Sequence, residues 1–386
     1  MQSAAKFRNS EAARAESTHS AHFLAGLIAV LLCVGVQMVH SSSLTSRPSA
    51  QETIFLSRHL VWLALSTFVA WNLSRQIPTS IAAWSRPAFW GYVLLLVLVL
   101  TPGVGTRING AQRWLRFSGL SFQPSELGRL ILPMLGASKV LQLRAENRLG
   151  LSTIPETLAP LCLVLPLVAA EPDLGATLFL TLGFLLALYF AGWPLRYFIA
   201  CGFVMIPAAG FLLVLRPYQM RRITGFLDSW KDLAAAPWQI RQSLMSLGSG
   251  GLEGTGIGAG WQKLSYLPEA NTDFVFALIG EELGLLGTLT VCFVWISVYL
   301  SGRTVLSPLP RQSFAWVVGT TLLTQLVIQA MANIAVVTAL VPPKGVPHPF
   351  ISYGGTNLLV SLSAVGLLLG MAANRQPDDV ADQSNK

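Results

Sequence analysis

Residues 267–300 read LPEANTDFVFALIGEELGLLGTLTVCFVWISVYL. From Phe274 onward the stretch is apolar apart from Glu281 and Glu282, and it exceeds the about 20 helical residues that cross a hydrocarbon core of about 30 Å. Similar stretches recur along all 386 residues, of which 53% are hydrophobic and 11% charged. A soluble domain carries about 25% charged residues, so this composition assigns the fold to lipid. The reading is an all-α integral membrane protein with about ten transmembrane helices, near 23–39, 55–73, 86–102, 124–143, 157–171, 174–192, 197–215, 274–300, 314–337 and 356–373. Only Glu171, Pro172 and Asp173 part the fifth stretch from the sixth, which also permits one broken helix there.

Working outward, a large extracytoplasmic loop at 216–273 falls between helices 7 and 8. With both termini cytoplasmic, most Lys and Arg outside that loop fall on the inner side, as the positive-inside rule requires. The division is then a cytoplasmic tail at 1–22, a membrane domain at 23–373 and a second tail at 374–386. The first apolar stretch follows a basic leader as a signal peptide does, but it is longer than an h-region and no small-x-small site follows; an uncleaved helix is expected. The net charge of +8 is dispersed, which favours anionic lipid head groups and gives no nucleic-acid surface. Cys33, Cys162, Cys201 and Cys292 all lie in apolar stretches and read as inert thiols.

Three outer segments carry polar and special-backbone residues. In the first, Arg113 and Arg116 lie among Trp and Leu, a mix suited to the head-group interface, where arginine forks meet phosphate; the same mix also suits a plain interfacial anchor. Pro124 can open the fourth helix there, with Ser125 and Glu126 in its first turn and Arg129 three residues on, so that Glu126 and Arg129 can pair at the membrane edge. The second segment holds Arg221, Arg222 and a glycine-rich run from Gly248 to Gly260. It lacks a Gly-Lys-Ser/Thr sequence and βαβ flanks, so it is not a nucleotide loop.

Asp273 closes that segment. A carboxylate at a helix start is most often an N-cap, yet with Glu281 and Glu282 close behind, the mouth of this helix is acidic enough to hold a divalent cation or supply a general base. The third segment, Pro342 to Thr356, has four prolines and three glycines and reads as a rigid re-entrant loop, in which Lys344 and Ser352 can face an anionic substrate. His348 has no HxxxH or HExxH partner and reads as a lining residue.

The runs NGAQRWL with FQPSELGRL, EPDLGAT, RRITGFLDSW, QSLMSLGSGGLEGTGIGAG, LPEANTDFVFALIGEELG and NIAVVTALVPPKGVPHPFISYGGTN resemble, in order, the signatures of the SEDS family of cell-wall polymerases. They span 107–357, and Pro342-Pro343-Lys344-Gly345 resembles the FtsW-like branch more than the RodA-like one. The resemblance implies a ten-helix peptidoglycan glycosyltransferase that polymerises lipid II at the outer face of the cytoplasmic (inner) membrane, for septal synthesis in cell division. It implies Asp273 as the essential acid, Glu126 with Arg129 as an important charged pair, and Mg or Mn as a supporting cation. Its partners would be lipid II and undecaprenyl-pyrophosphate-linked glycan, a class B penicillin-binding protein transpeptidase, and divisome proteins. Departures from the family pattern are Gln112, Arg129, Glu171, Ser229, Asn271, Thr356 and Asn357, which leave Asp273 in place.

The implied chemistry is inverting glycosyl transfer. Asp273 would take the proton of the acceptor 4-hydroxyl, and Arg113, Arg116, Arg221, Arg222 and Lys344, chosen by their position, would meet the pyrophosphate. Asp273, Glu281 and Glu282 are the candidates for metal. A RodA-like elongation polymerase, a lipid-linked precursor flippase and a non-catalytic scaffold for the transpeptidase are the alternatives; no inverted repeat supports the flippase.

Overall fold

The computed structural model describes residues 2–43, 50–108, 110–117, 119–171, 173–214, 217–232, 236–261 and 269–374. Of the residues read above, Asn109, Pro172, 267–268 and the tail at 375–386 lie outside the described residues. Among the described ones are twelve α-helices: α1 Gln2–Ser43, α2 Ala50–Leu73, α3 Pro78–Leu100, α4 Gly128–Ala145, α5 Ile154–Ala170, α6 Leu174–Phe190, α7 Leu195–Val214, α8 Pro217–Ser229, α9 Trp238–Ser249, α10 Val275–Leu306, α11 Phe314–Val337 and α12 Gly355–Ala373. The apolar part of α1, Thr18–Ser42, and α3, the Leu151–Ala170 segment, α10, α11 and α12 are long and apolar enough to cross a membrane, and Gly175–Phe190 and Leu195–Pro207 are shorter apolar helices. This is a multi-pass membrane protein.

Ten of these helices lie outside 216–273, six of them long and apolar enough to span, so the expected count of ten spans and the place of the loop are not confirmed. Two helices, α8 and α9, lie within that segment, and α4 carries Arg129, Lys139 and Arg144. The fifth and sixth apolar stretches are separate helices, because Asp173 caps α6 by accepting a hydrogen bond from the Ala176 N–H at 2.9 Å.

α12 is the most enclosed helix. It packs on α2 and α11, while α1 packs on α10 and α4 on α6. Trp295, Tyr92, Tyr197, Phe184 and Phe350 are fully buried between these pairs. Trp84, Trp90, Phe203, Ile206 and Phe293 instead project outward, as lipid-facing positions of a bundle do. The Asn374 amide bonds the carbonyls of Ser74 and Gln76, and Arg144 bonds the Ala191 carbonyl and Gln312, so the turns expected on the inner side do meet at one end.

At the other end the fold is not purely helical. Residues expected to form an interfacial segment make a three-stranded antiparallel sheet, β1 Thr106–Ile108, β2 Ala111–Phe117 and β3 Leu120–Phe122, in the order β1-β2-β3. Gly110 and Gly119 have φ of 80° and 83°, the left-handed values that two-residue hairpin loops demand. A 3-10 turn at Pro124–Leu127 then leads into α4, so Glu126 precedes the helix proper.

α10 is broken at Gly284 (φ 66°, ψ −163°), where a Cβ would lie 2.4 Å from the Gly254 nitrogen and 2.5 Å from the Leu252 oxygen. A helix break strands backbone groups that membrane depth does not tolerate unpaired. The glycine-rich run pairs them. Gly251 and Leu252 carbonyls accept from the N–H groups of Leu285 and Leu286, and the carbonyls of Glu281 and Glu282 accept from Thr255 and Gly256. The run is therefore a strap on a discontinuous helix.

Candidate functional site

Asp273 lies just before α10, and its main chain is tied to two other elements. The Asn333 side chain of α11 donates to the Asp273 carbonyl at 2.7 Å, the Ser352 hydroxyl donates to the Thr272 carbonyl, and the Tyr353 N–H donates to the Asn271 carbonyl at 2.8 Å. The residues 269–273 are thus laid against the re-entrant loop. Of the five described non-glycine residues with positive φ, Glu269 (57°) and Phe350 (67°) sit in these two segments, where the packing holds a costly backbone.

The Asp273 carboxylate itself accepts no hydrogen bond among the described residues. It is half-buried against Gly345, where a Cβ would come within 2.8 Å of Oδ2; only glycine permits this approach. Burial, followed by the nearby Glu269, raises its pKa, Arg113 pulls it down, Asp173 raises it and Arg222 lowers it, leaving it at about 7. A carboxylate poised near neutrality suits a general base.

Around it the structure gathers some of the expected cations and not others. Arg113 pairs with Asp173 at 3.1 Å, and Gln123 donates to the same Asp173 oxygen at 2.9 Å. Arg222 donates to the Pro343 carbonyl at 3.3 Å, and its charge, after burial, lowers the pKa of the neighbouring Lys344. Arg116 is not brought in: along β2 successive side chains alternate, so three residues from Arg113 it lies exposed on the opposite face. Arg221 is exposed on α8. Ser352 is 1% exposed and its hydroxyl, which also accepts from the His348 N–H at 2.8 Å, is committed to the loop; it acts as a strap in place of the substrate contact expected.

Glu126 and Arg129 do pair, at 2.7 Å, but Arg129 has more partners than a pair implies. It donates to Asn357 at 3.0 Å and to Gln329, and Gln329 donates onward to the Pro347 carbonyl at 2.7 Å. The departures fall into place here. Asn357 meets Arg129, Thr356 accepts from the Gln123 N–H at 2.9 Å, and Gln112 holds the carbonyls of Val99 and Thr101. Ser229 bonds the Phe226 carbonyl at the end of α8. Glu171 is fully buried between α5 and α6. The Ser125 hydroxyl favours its ionised form without closing a hydrogen bond of good geometry, and burial pushes its pKa up to about 8.

Glu281 and Glu282 turn to the glycine strap: Glu281 accepts from the Trp261 N–H at 2.6 Å, and Glu282 from the Gly258 N–H at 3.0 Å and from Ser41 on α1. His348, expected as a lining residue, is fully buried against Phe276 and Trp295. Among the described residues no group of three or more His, Cys, Asp and Glu could hold a metal ion. The donors present do not form an all-protein cage, but one free carboxylate fits the magnesium pattern of one or two carboxylates completed by substrate phosphates and water.

Asp173, Gln123, Gln329 and Asn333 were not singled out by sequence reasoning. Asp173 gave the signal that marked Asp273, an acid just before an apolar helix; the amides on α11 gave only their i,i+4 spacing.

The profile of the FtsW/RodA/SpoVE family of cell cycle proteins matches residues 22–377. A probable peptidoglycan glycosyltransferase FtsW of Geobacter sp. (strain M18) is 36% identical over 347 residues, 89% of this chain and 94% of that protein. That of Legionella pneumophila is 34% identical, covering 90% of this chain and 89% of that one. Among solved structures, a chain from work on the coordination of polymerization and crosslinking by a peptidoglycan synthase complex aligns with a TM-score of 0.73 at 25% identity, covering 92% of this chain and 98% of that one. The rod shape determining protein RodA of Thermus thermophilus shares the fold, with a TM-score of 0.66 at 24% identity over 92% of this chain and 97% of that one.

Proposed function

The chain belongs to the FtsW/RodA/SpoVE family of cell cycle proteins, and from that premise we propose that it is an FtsW-like peptidoglycan glycosyltransferase that polymerises lipid II at the outer face of the cytoplasmic membrane, in septal synthesis. The observation that carries this reading is the Asp273 carboxylate: free of hydrogen bonds among the described residues, half-buried, with a pKa of about 7, and within the influence of Arg113 and Arg222. In the transfer, the acceptor 4-hydroxyl oxygen forms the new bond to the donor's anomeric carbon, the carbon–oxygen bond to the lipid pyrophosphate breaks with inversion, and the hydroxyl proton passes to Asp273. Arg113, Arg222 and Lys344 meet the departing pyrophosphate. A bound Mg or Mn ion, held by Asp273, would supply positive charge beside that group.

In this reading both termini are cytoplasmic, which the distribution of Lys and Arg supports. The partner is a class B penicillin-binding protein transpeptidase, with divisome proteins around it; the similarity to a chain of a peptidoglycan synthase complex supports such an assembly. The test is purified protein with labelled lipid II, with and without its transpeptidase and Mg or Mn. Polymer lost in Asp273→Asn supports the reading. Translocation of lipid II with no polymer under any condition would replace it with the flippase.

A further inference from the structure

α11 carries Gln325, Gln329 and Asn333 at i, i+4 and i+8, hence on one face, and all three are at most 2% exposed. Buried amides in an apolar helix are expensive unless they bond. Gln325 donates to the Phe179 carbonyl of α6 at 3.3 Å. The other two face the site. Asn333 gives both hydrogens of its single amide nitrogen to main-chain carbonyls, of Asp273 at 2.7 Å and of Val346 at 2.7 Å. Gln329 donates to the next carbonyl along, Pro347, at 2.7 Å, and accepts from Arg129.

The orientation of the Asn333 amide is fixed, since turning it over would set its oxygen against two carbonyls. What it joins is specific. One acceptor belongs to Asp273 itself, the other to the residue after Gly345, against which the Asp273 carboxylate lies. Asn333 therefore sets the distance between the acid and the loop that buries it. One turn earlier, Gln329 links the same loop to the Glu126–Arg129 pair.

We propose that Asn333 and Gln329 are positioning residues of the transfer reaction: Asn333 fixes Asp273 against the re-entrant loop, and Gln329 fixes that loop to Arg129. Neither touches substrate in this scheme. The proposal rests on Asp273 as the acid of the reaction, and it goes beyond that reading by assigning its placement to one face of α11. Misplacing a reacting group by about 1 Å can cost about a hundredfold in rate, while the surfaces that meet lipid II are left as they are.

The experiment measures kcat and KM for lipid II with purified Asn333→Ala, Asn333→Leu, Gln329→Leu and Asp273→Asn, each at matched amounts of monodisperse protein. The expected result is a kcat lower by about tenfold or more in both Asn333 variants and by a smaller factor in Gln329→Leu. KM is expected to stay within about twofold of the unmodified protein; because inactive material lowers apparent kcat in the same way, each rate is referred to active sites counted by lipid II binding, which a loss of folded material lowers and a change of positioning does not. If Asp273→Asn is inactive while both Asn333 variants keep normal kcat, the positioning proposal fails and the acid assignment stands. If Asp273→Asn polymerises normally, the acid assignment fails whatever Asn333 does. Failure of both Asn333 variants to yield monodisperse protein would make its role one of folding alone and overturn the proposal.

Discussion

Asp273 at the mouth of α10 and Glu281–Glu282 two turns further on form one acidic run in the sequence, and the structure treats them in opposite ways. The two glutamates point into the glycine strap, where Trp261, Gly258 and Ser41 donate to them. Asp273 and Thr272 have their carbonyls tied to α11 and the re-entrant loop, while the Asp273 carboxylate accepts no hydrogen bond among the described residues, with Gly345 pressed against it. The difference teaches that acidity at a helix mouth does not identify chemistry. The acid of the proposed transfer is instead the carboxylate whose main chain is held by its neighbours and whose oxygens accept nothing among the described residues.

The sharpest way to break this contrast is Asp273→Asn. The amide keeps the shape and cannot take the acceptor's proton, so polymer from lipid II should fall by about 100- to 10,000-fold, with monodisperse elution and transpeptidase binding unchanged. Near-normal glycan chains from this variant would end its claim to be the base. Next in size is Arg129, which is 5% exposed and meets three acceptors, Glu126, Asn357 and Gln329. Removing one member of a buried pair costs about 3 to 5 kcal/mol, so Glu126→Gln and Arg129→Gln should both lower folded yield and activity. Charge reversal should not restore them, because Arg129→Glu in a Glu126→Arg background faces the amide oxygens of Asn357 and Gln329 with a carboxylate. Recovery in that double variant would reduce the hub to a simple ion pair.

Sequence reading reached the membrane class, the separation of α5 from α6, the non-helical run after α11, the place of Asp273 just before α10 and the contact of Glu126 with Arg129, because each has a local cause: apolar length, a capping acid, a proline-rich run, an i,i+3 spacing. The three-stranded sheet was legible too. Thr106–Ile108, Ala111–Phe117 and Leu120–Phe122 are joined through Asn109-Gly110 and Ser118-Gly119, two-residue hairpin signals, which the Trp and Arg content masked as an interfacial segment. Other features were not legible, since they depend on distant partners. Arg113 and Arg116 fall on opposite faces only once their segment is a strand, and Ser352 is consumed by Thr272, eighty positions away in the chain. The break at Gly284 needs the strap to form.

Glu171 sharpens the comparison as a third kind of carboxylate, neither open to substrate nor saturated by donors. Burial lifts its pKa from 4.5 to about 8. The folded state then holds a proton that the unfolded state has released, so stability is fullest below pH of about 4.5 and declines as pH rises towards about 8, by at most about 1.4 kcal/mol per pH unit. Glu171→Gln should flatten that decline. Its Tm should match the parent protein near pH 5 and exceed it at pH 8; parallel Tm curves across this range would show that the buried acid is not what titrates.

The smallest effect, and the one that closes the comparison, is expected from Glu281→Gln and Glu282→Gln. Each change keeps the side-chain volume and replaces one acceptor oxygen with an NH2 group. Where that group faces the Trp261 or Gly258 N–H, donor meets donor and a buried hydrogen bond is lost, at about 1 to 3 kcal/mol. The strap would then hold the Gly284 break less firmly, which should appear as a lower Tm and faster hydrogen exchange at the N–H groups of Thr255, Gly256, Leu285 and Leu286, since these close the break. Turnover per folded molecule should stay within a few-fold of normal, because neither carboxylate bonds the residues at 269–273. A variant at either position with unchanged Tm and no polymerisation would reverse the assignment, moving the working acid or a metal ligand from the mouth of α10 into its first turns and leaving Asp273 as the structural residue.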